Sequence, residues 1–140
     1  MRFMVIVKAD EQSEAGTLPD EKILREMGKF NEQLAKAGVM LAGEGLHASK
    51  DGVRVKFSGK TRMVTDGPFA ETKELVAGFW IWRCKSLEEA VDWLKRAPFD
   101  GGTEVEIRQI FETDEFAASD PTGEIRRREE ELRASLEARH

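Results

Sequence analysis

The chain has 140 residues, 40% of them hydrophobic and 35% charged, enough for one domain that buries its own core without metal or disulfide staples. Its longest apolar stretch, Leu75 to Trp82 with Gly78 inside, falls far short of the roughly 20 residues that span a bilayer, and the single cysteine, Cys84, excludes an intrachain disulfide and a cysteine zinc cage. A net charge of -5 argues against gripping phosphate backbones; the one basic cluster, Arg126-Arg127-Arg128, is followed at once by Glu129-Glu130-Glu131, so no nucleic-acid partner is expected.

Phe3 to Val7 is apolar on both period-2 faces, which predicts a strand covered on both sides. The apolar run at the N-terminus meets Lys8 and Asp10 too soon for a signal-peptide core, so the expectation is a cytoplasmic protein with no membrane partner. After a polar loop ending at Thr17, Ile23, Met27, Phe30 and Leu34 recur at helical spacing, with Pro19 near the start and Gly38 just past the end: an amphipathic helix over Pro19 to Ala37. Val39 to His47 reads as a second strand. Lys50-Asp51-Gly52 is a turn, and Val53 to Phe57 alternates cleanly before Ser58-Gly59-Lys60 reverses the chain into Thr61 to Thr65. That predicts a hairpin with a solvent face, extending the sheet.

Asp66-Gly67-Pro68 breaks regular structure and predicts a tight loop. Leu75 to Cys84 is again apolar on both faces, a second central strand in which Cys84 is a buried structural thiol. Ser86-Leu87-Glu88-Glu89 reads as a capping box, and Leu87, Ala90, Val91 and Leu94 as the stripe of the helix that Pro98 closes. Glu104 to Phe111 alternates charged with apolar residues, a strand covered on one face. Without the hairpin the order is strand-helix-strand twice, which predicts a ferredoxin-like α+β fold, a βαββαβ split sheet with an inserted hairpin. Two helices cover only one sheet face; a second subunit packed sheet to sheet, a homodimer, is the expected cover for the other.

The domain is expected to span residues 1–115, followed over 116–140 by a polar linker and a charged C-terminal helix. Opposite charges at i,i+4 (Glu124-Arg128, Arg126-Glu130, Arg127-Glu131, Glu129-Arg133) support that helix, while its thin stripe of Ile125, Leu132 and Leu136 leaves a frayed appendage and an arm across a partner subunit equally open.

Two histidines exist, and His140 is the last residue; His47 is therefore the one neutral-pH acid/base, although a lone histidine beside a sheet more often reads as a surface or structural residue. Asp66 reads first as a turn residue bonding its own backbone. Phe69 suits a pocket wall or the core, and Glu71, Lys73 and Glu74 a solvated loop or ion-pair set. Cys84 sits in an apolar strand with no cationic neighbour except Lys85 and Arg83, and no serine sits in a nucleophile elbow, so covalent catalysis is not expected. His47, Asp66, Glu44 and Glu71 are metal-ligand types without the repeated spacing of a zinc site, so neither a metal nor a cofactor is expected. Gly43 and Gly45 lack a phosphate-loop context.

The nine residues Asp66-Gly67-Pro68-Phe69-Ala70-Glu71-Thr72-Lys73-Glu74 closely resemble the signature of the DGPF proteins, a branch of the YCII-related family. The resemblance extends to Glu44-Gly45-Leu46-His47, Ala77-Gly78-Phe79 and Glu104-Val105-Glu106-Ile107-Arg108. It implies a dimeric alpha-beta barrel and a histidine-aspartate pair facing a pocket, which map onto His47 and Asp66. Around them Glu44, Pro68, Phe69, Glu71 and Lys73 are candidates for binding substrate. In that pair the carboxylate would fix the imidazole tautomer, and the free nitrogen would move a proton on a small molecule. The alternative is a non-catalytic ligand-binding or regulatory module, tied to an extracytoplasmic-function sigma factor because family members are often encoded beside one.

Overall fold

The computed structural model describes residues 1–139; the Lys73 side chain and His140, two positions singled out from the sequence, lie outside the described set. In chain order the elements are β1 (Arg2–Lys8), α1 (Glu11–Glu14), α2 (Glu21–Lys36), β2 (Met40–Gly45), β3 (Val53–Ser58), β4 (Thr61–Asp66), β5 (Val76–Arg83), α3 (Leu87–Leu94), β6 (Val105–Gln109) and α4 (Glu124–Ala138). Short 3-10 turns cover Ser49–Asp51, Thr72–Glu74 and Thr113–Ser119.

The main sheet is antiparallel in the order β2-β5-β1-β6, so the two strands apolar on both faces are the two central ones. With α2 and α3 as the crossovers, this is the ferredoxin-like split sheet. The hairpin departs from expectation. β3 and β4 pair only with each other, and all twelve of their residues are exposed, so the hairpin is a separate two-stranded sheet and no extension of the main one.

Cross-strand register decides which residues line each face. Phe3, Val5 and Val7 lie opposite Trp82, Trp80 and Gly78, and on the other side opposite Gln109, Ile107 and Val105. These positions point toward the helices, where Phe30 and Leu34 of α2 and Ala90 of α3 are buried against them. Phe30 stands edge-on to both Trp80 and Trp82, at 5.9 and 6.3 Å between ring centres. Trp80 donates its indole N–H to Asn31 at 2.9 Å, whereas the fully buried Trp82 Nε1 has no partner among the described residues. Met4, Ile6, Phe79 and Ile81 form the centre of the opposite face, away from α2 and α3, and stay half-buried.

The ends follow the local chemistry. Asp20 caps α2 by accepting from the Ile23 N–H, and Gly38, at φ +72, takes the left-handed conformation just beyond the C-cap. Ser86 caps α3 through the Glu89 N–H, while the Glu89 carboxylate reaches one residue further back, to the Lys85 N–H. The four-residue α1, inside what reads as a plain polar loop, exists because Asp10 and Ser13 form a reciprocal capping box.

The chain divides into two compact units, 1–109 and 110–140. In the second, α4 carries Arg126–Glu130, Arg128–Glu124 and Arg133–Glu129 ion pairs along an exposed surface, and Phe111 stacks on Phe116 at 5.0 Å. Among the described residues no helix is long and apolar enough to cross a membrane.

Candidate functional site

His47 lies two residues past the end of β2, and the ladder runs one step beyond that strand through a 2.8 Å bond from the Leu46 N–H to the Ala77 carbonyl. The chain then tightens into the turn Ser49–Asp51, which brings Asp51 back under the imidazole: Nδ1 of His47 is 3.3 Å from Oδ2 of Asp51. The imidazole is 90% exposed, so this contact orients the ring without adding much stability.

The loop opened by Asp66 docks on that same turn. The Gly67 N–H donates to the Gly52 carbonyl at 2.9 Å, and the Phe69 N–H donates to Oγ of Ser49 at 3.1 Å. Gly67 is packed so closely that a Cβ there would sit 1.7 Å from the Ser49 carbonyl oxygen, a backbone atom with no freedom to retreat. Glycine is thus required at 67 for the approach itself. Ser49 is held from its other side by Glu14 of α1, whose carboxylate accepts both the Ser49 N–H, at 3.0 Å, and its hydroxyl. Above the loop, the Arg54 guanidinium of β3 lies 3.8 Å from the centre of the Phe69 ring. Two hydrogen bonds therefore fix the 66–69 loop to the turn that follows His47, and one cation–π contact fixes it to β3.

Several expected placements change. Among the described residues there is no direct hydrogen bond between His47 and Asp66; the carboxylate touching the imidazole is Asp51. Asp51 sits four residues from His47 at the end of the same turn, whereas the loop that starts at Asp66 meets this turn through Ser49 and Gly52. Phe69 is neither free wall nor core but half-buried beneath Arg54. Pro68, after a cis Gly67–Pro68 bond, and Glu71 are exposed. Glu44 is exposed on β2 opposite Phe79. Sequence reasoning missed Glu14, Ser49 and Asp51; the only available signal was the four-residue spacing from His47 to Asp51, which any turn aspartate also produces.

A recess of about 240 Å³ opens on the helical side of the β2–β5 seam. One row across the sheet reads Val105, Val7, Gly78, Gly45, two valines and then two glycines, so the layer between sheet and helices is missing its side chains at that end. Met27, Trp80 and Phe99 wall the gap, and Glu44, paired with Phe79, borders it through its backbone. His47, two residues beyond the end of β2, is not among the residues that line this recess. A second, larger hollow of about 840 Å³ is lined by Asp10, Glu74, Asp100, Glu104 and Glu106 around Lys8, and shares no residue with the 47–52 turn or the 66–69 loop. Among the described residues no group of three or more His, Cys, Asp or Glu is placed to hold a metal ion.

The comparisons with known proteins can be set beside this geometry. An uncharacterized protein of Rhizobium meliloti (strain 1021) is 30% identical over 101 residues, covering 69% of this chain and 82% of that protein. A solved structure, 5-chloro-2-hydroxyhydroquinone dehydrochlorinase (TftG) from Burkholderia phenoliruptrix AC1100 in complex with 2,5-dihydroxybenzoquinone, aligns with a TM-score of 0.43 at 18% identity, covering 81% of this chain and 98% of that one. The family profile described as YCII-related domain matches residues 1–114, the span that holds the main sheet, the hairpin, His47 and the docked loop, and the chain therefore belongs to the YCII-related family.

Proposed function

We propose that this domain takes a small molecule into the recess at the β2–β5 seam and moves a proton on it, with His47 and Asp66 as the acid/base pair. The observation that carries this reading is the docking of the 66–69 loop on the His47 turn, through Ser49 and Gly52, at a position only glycine can occupy. A loop locked this closely to one histidine holds Asp66 and the imidazole in a fixed relation, which proton transfer needs and a solvated surface histidine does not. With Nδ1–H directed at Asp51, Nε2 is the nitrogen left to take a proton from the substrate and return it. Glu44 stands at the recess, and Pro68 and Phe69 shape the loop beside the imidazole, with Glu71 and Lys73 further along it.

The half-buried open face of Met4, Ile6, Phe79 and Ile81 suits a second copy of the chain, and light scattering should return twice the chain mass. A monomer at micromolar concentration would remove the homodimer from the account.

A metabolite library screened by thermal shift tests the function, because a ligand that binds only the native state raises the melting temperature whether or not it is turned over. The hit is then followed by NMR for conversion. The expected result is conversion by the native protein, and by neither His47→Gln nor Asp66→Asn, with the thermal shift kept in both variants. Conversion that survives His47→Gln would overturn the reading. A ligand bound and never converted would favour the regulatory module, whose link to a sigma factor would then need its own binding test.

A further inference from the structure

The three glycines of the recess do different work, and the difference defines what the recess can hold. At Gly43 a Cβ would meet Cδ1 of Trp80 at 2.7 Å, so the indole already lies over that position. At Gly78 a Cβ would meet the Glu44 carbonyl oxygen at 2.9 Å, so the backbone of β2 closes against it. At Gly45 a Cβ would meet nothing within 4 Å, and its backbone needs no positive φ. Neither sterics nor conformation requires glycine at 45, yet its absent side chain keeps the recess open. That combination marks a surface held bare for something else to lie on.

We infer that the recess is a slot for a flat aromatic ring that lies on the Gly45–Gly78 backbone. This rests on the proposed function only for the location of the substrate. The size follows from the volume: 240 Å³ is room for roughly eight water-sized atoms at about 30 Å³ each, one six-membered ring with a small substituent. Flatness follows from the floor, since a paired glycine strip is a plane of peptide groups without side chains. The ring character follows from the walls. Phe99 stands edge-on to Trp80, at 6.1 Å between centres and 75° between planes, and Met27 offers a thioether, so a third ring finds edge, face and sulfur contacts. The Trp80 N–H is already committed to Asn31 and does not read the ligand.

The test uses the full chain, labelled with nitrogen-15, titrated with 4-methylphenol and cyclohexanol. A ring this small binds with a Kd on the order of 1 mM, within NMR range. The expected result is that 4-methylphenol moves the Gly45 and Gly78 amides, while cyclohexanol leaves them in place. Gly45→Leu puts a side chain in the open space and should weaken 4-methylphenol binding at least about tenfold, the scale of a misfit group in an apolar pocket. Gly45→Ala, which adds the Cβ alone, should weaken it less and serves as the reading if the leucine variant does not fold. Equal shifts from both probes, or 4-methylphenol binding unchanged in both variants, would overturn the inference. A ring that binds in the slot but is never converted at His47 would overturn the proton-transfer reading and leave this one standing; conversion at His47 of a substrate that leaves the glycine amides unmoved would do the reverse.

Discussion

The main sheet and the hairpin each carry an apolar strand face, and the two faces have opposite fates. Phe3, Val5, Trp80 and Trp82 are buried under helices, whereas Val53, Val55, Phe57 and Val64, on one face of β3–β4, are 48 to 71% exposed. The alternation in Val53 to Phe57 is as clean as in any half-buried strand, yet no element covers it. Period-2 alternation specifies that one face is apolar; whether that face is covered depends on the rest of the chain supplying a helix there. The hairpin's fixed role in the fold lies at its base, where Asp66 ends β4 and starts the loop that docks on Ser49 and Gly52.

Substitutions should separate the two regions sharply. Trp82→Ala empties the centre of the core and should cost about 3–5 kcal/mol in urea unfolding. Phe57→Ala should stay within about 0.5 kcal/mol, because the ring is 71% exposed. A loss above about 2 kcal/mol at Phe57 would mean the hairpin face is covered, and the contrast would fail.

The next effect belongs to the join between the regions. Gly67→Ala forces a Cβ against the Ser49 carbonyl and should cost about 1–3 kcal/mol, while shifting the amides of residues 47–52 and 66–69 and sparing those of β1 and β6. Shifts spread evenly over the main sheet would show that the loop is part of the core instead of a clamp on the turn.

A smaller effect concerns Cys84. Burial first, and the Glu89 carboxylate second, push its thiol above the ordinary range. The native state therefore holds the proton longer than the unfolded chain does. The resulting stability is fully present below the unfolded thiol value of about 8.5 and is lost as pH rises through the native value. Urea midpoints should fall above about pH 8.5 in the native protein, and less so in Cys84→Ala. Rapid modification of Cys84 by a thiol reagent at neutral pH, at the rate of the unfolded chain, would contradict this.

The fold is legible in the sequence where patterns are two-sided. Phe3 to Val7 and Leu75 to Cys84, apolar on both faces, mark the two central strands, and the helix stripes mark the covered side. The site is legible only in part. His47 and Asp66 stand out through chemistry and resemblance, but the contacts that position them come from residues with no periodic signal: Glu14, in a four-residue helix made by one capping box, and Ser49, in a turn. The recess was hidden for a different reason. Gly43, Gly45 and Gly78 look like isolated glycines until cross-strand register sets 45 against 78, and register is a property of paired strands that neither strand states alone.

The central claim is that the 66–69 loop and the His47 turn form one unit joined at Ser49, and amide hydrogen exchange of the native protein and Ser49→Ala tests it most directly. The Gly67 and Phe69 amides should be protected in the native protein. In Ser49→Ala the Phe69 amide should lose its protection, because Oγ of Ser49 is its acceptor, while the amides of Trp80 and Trp82 exchange as before. A Phe69 amide that exchanges freely in the native protein, or one that stays equally protected without the serine hydroxyl, would contradict the account.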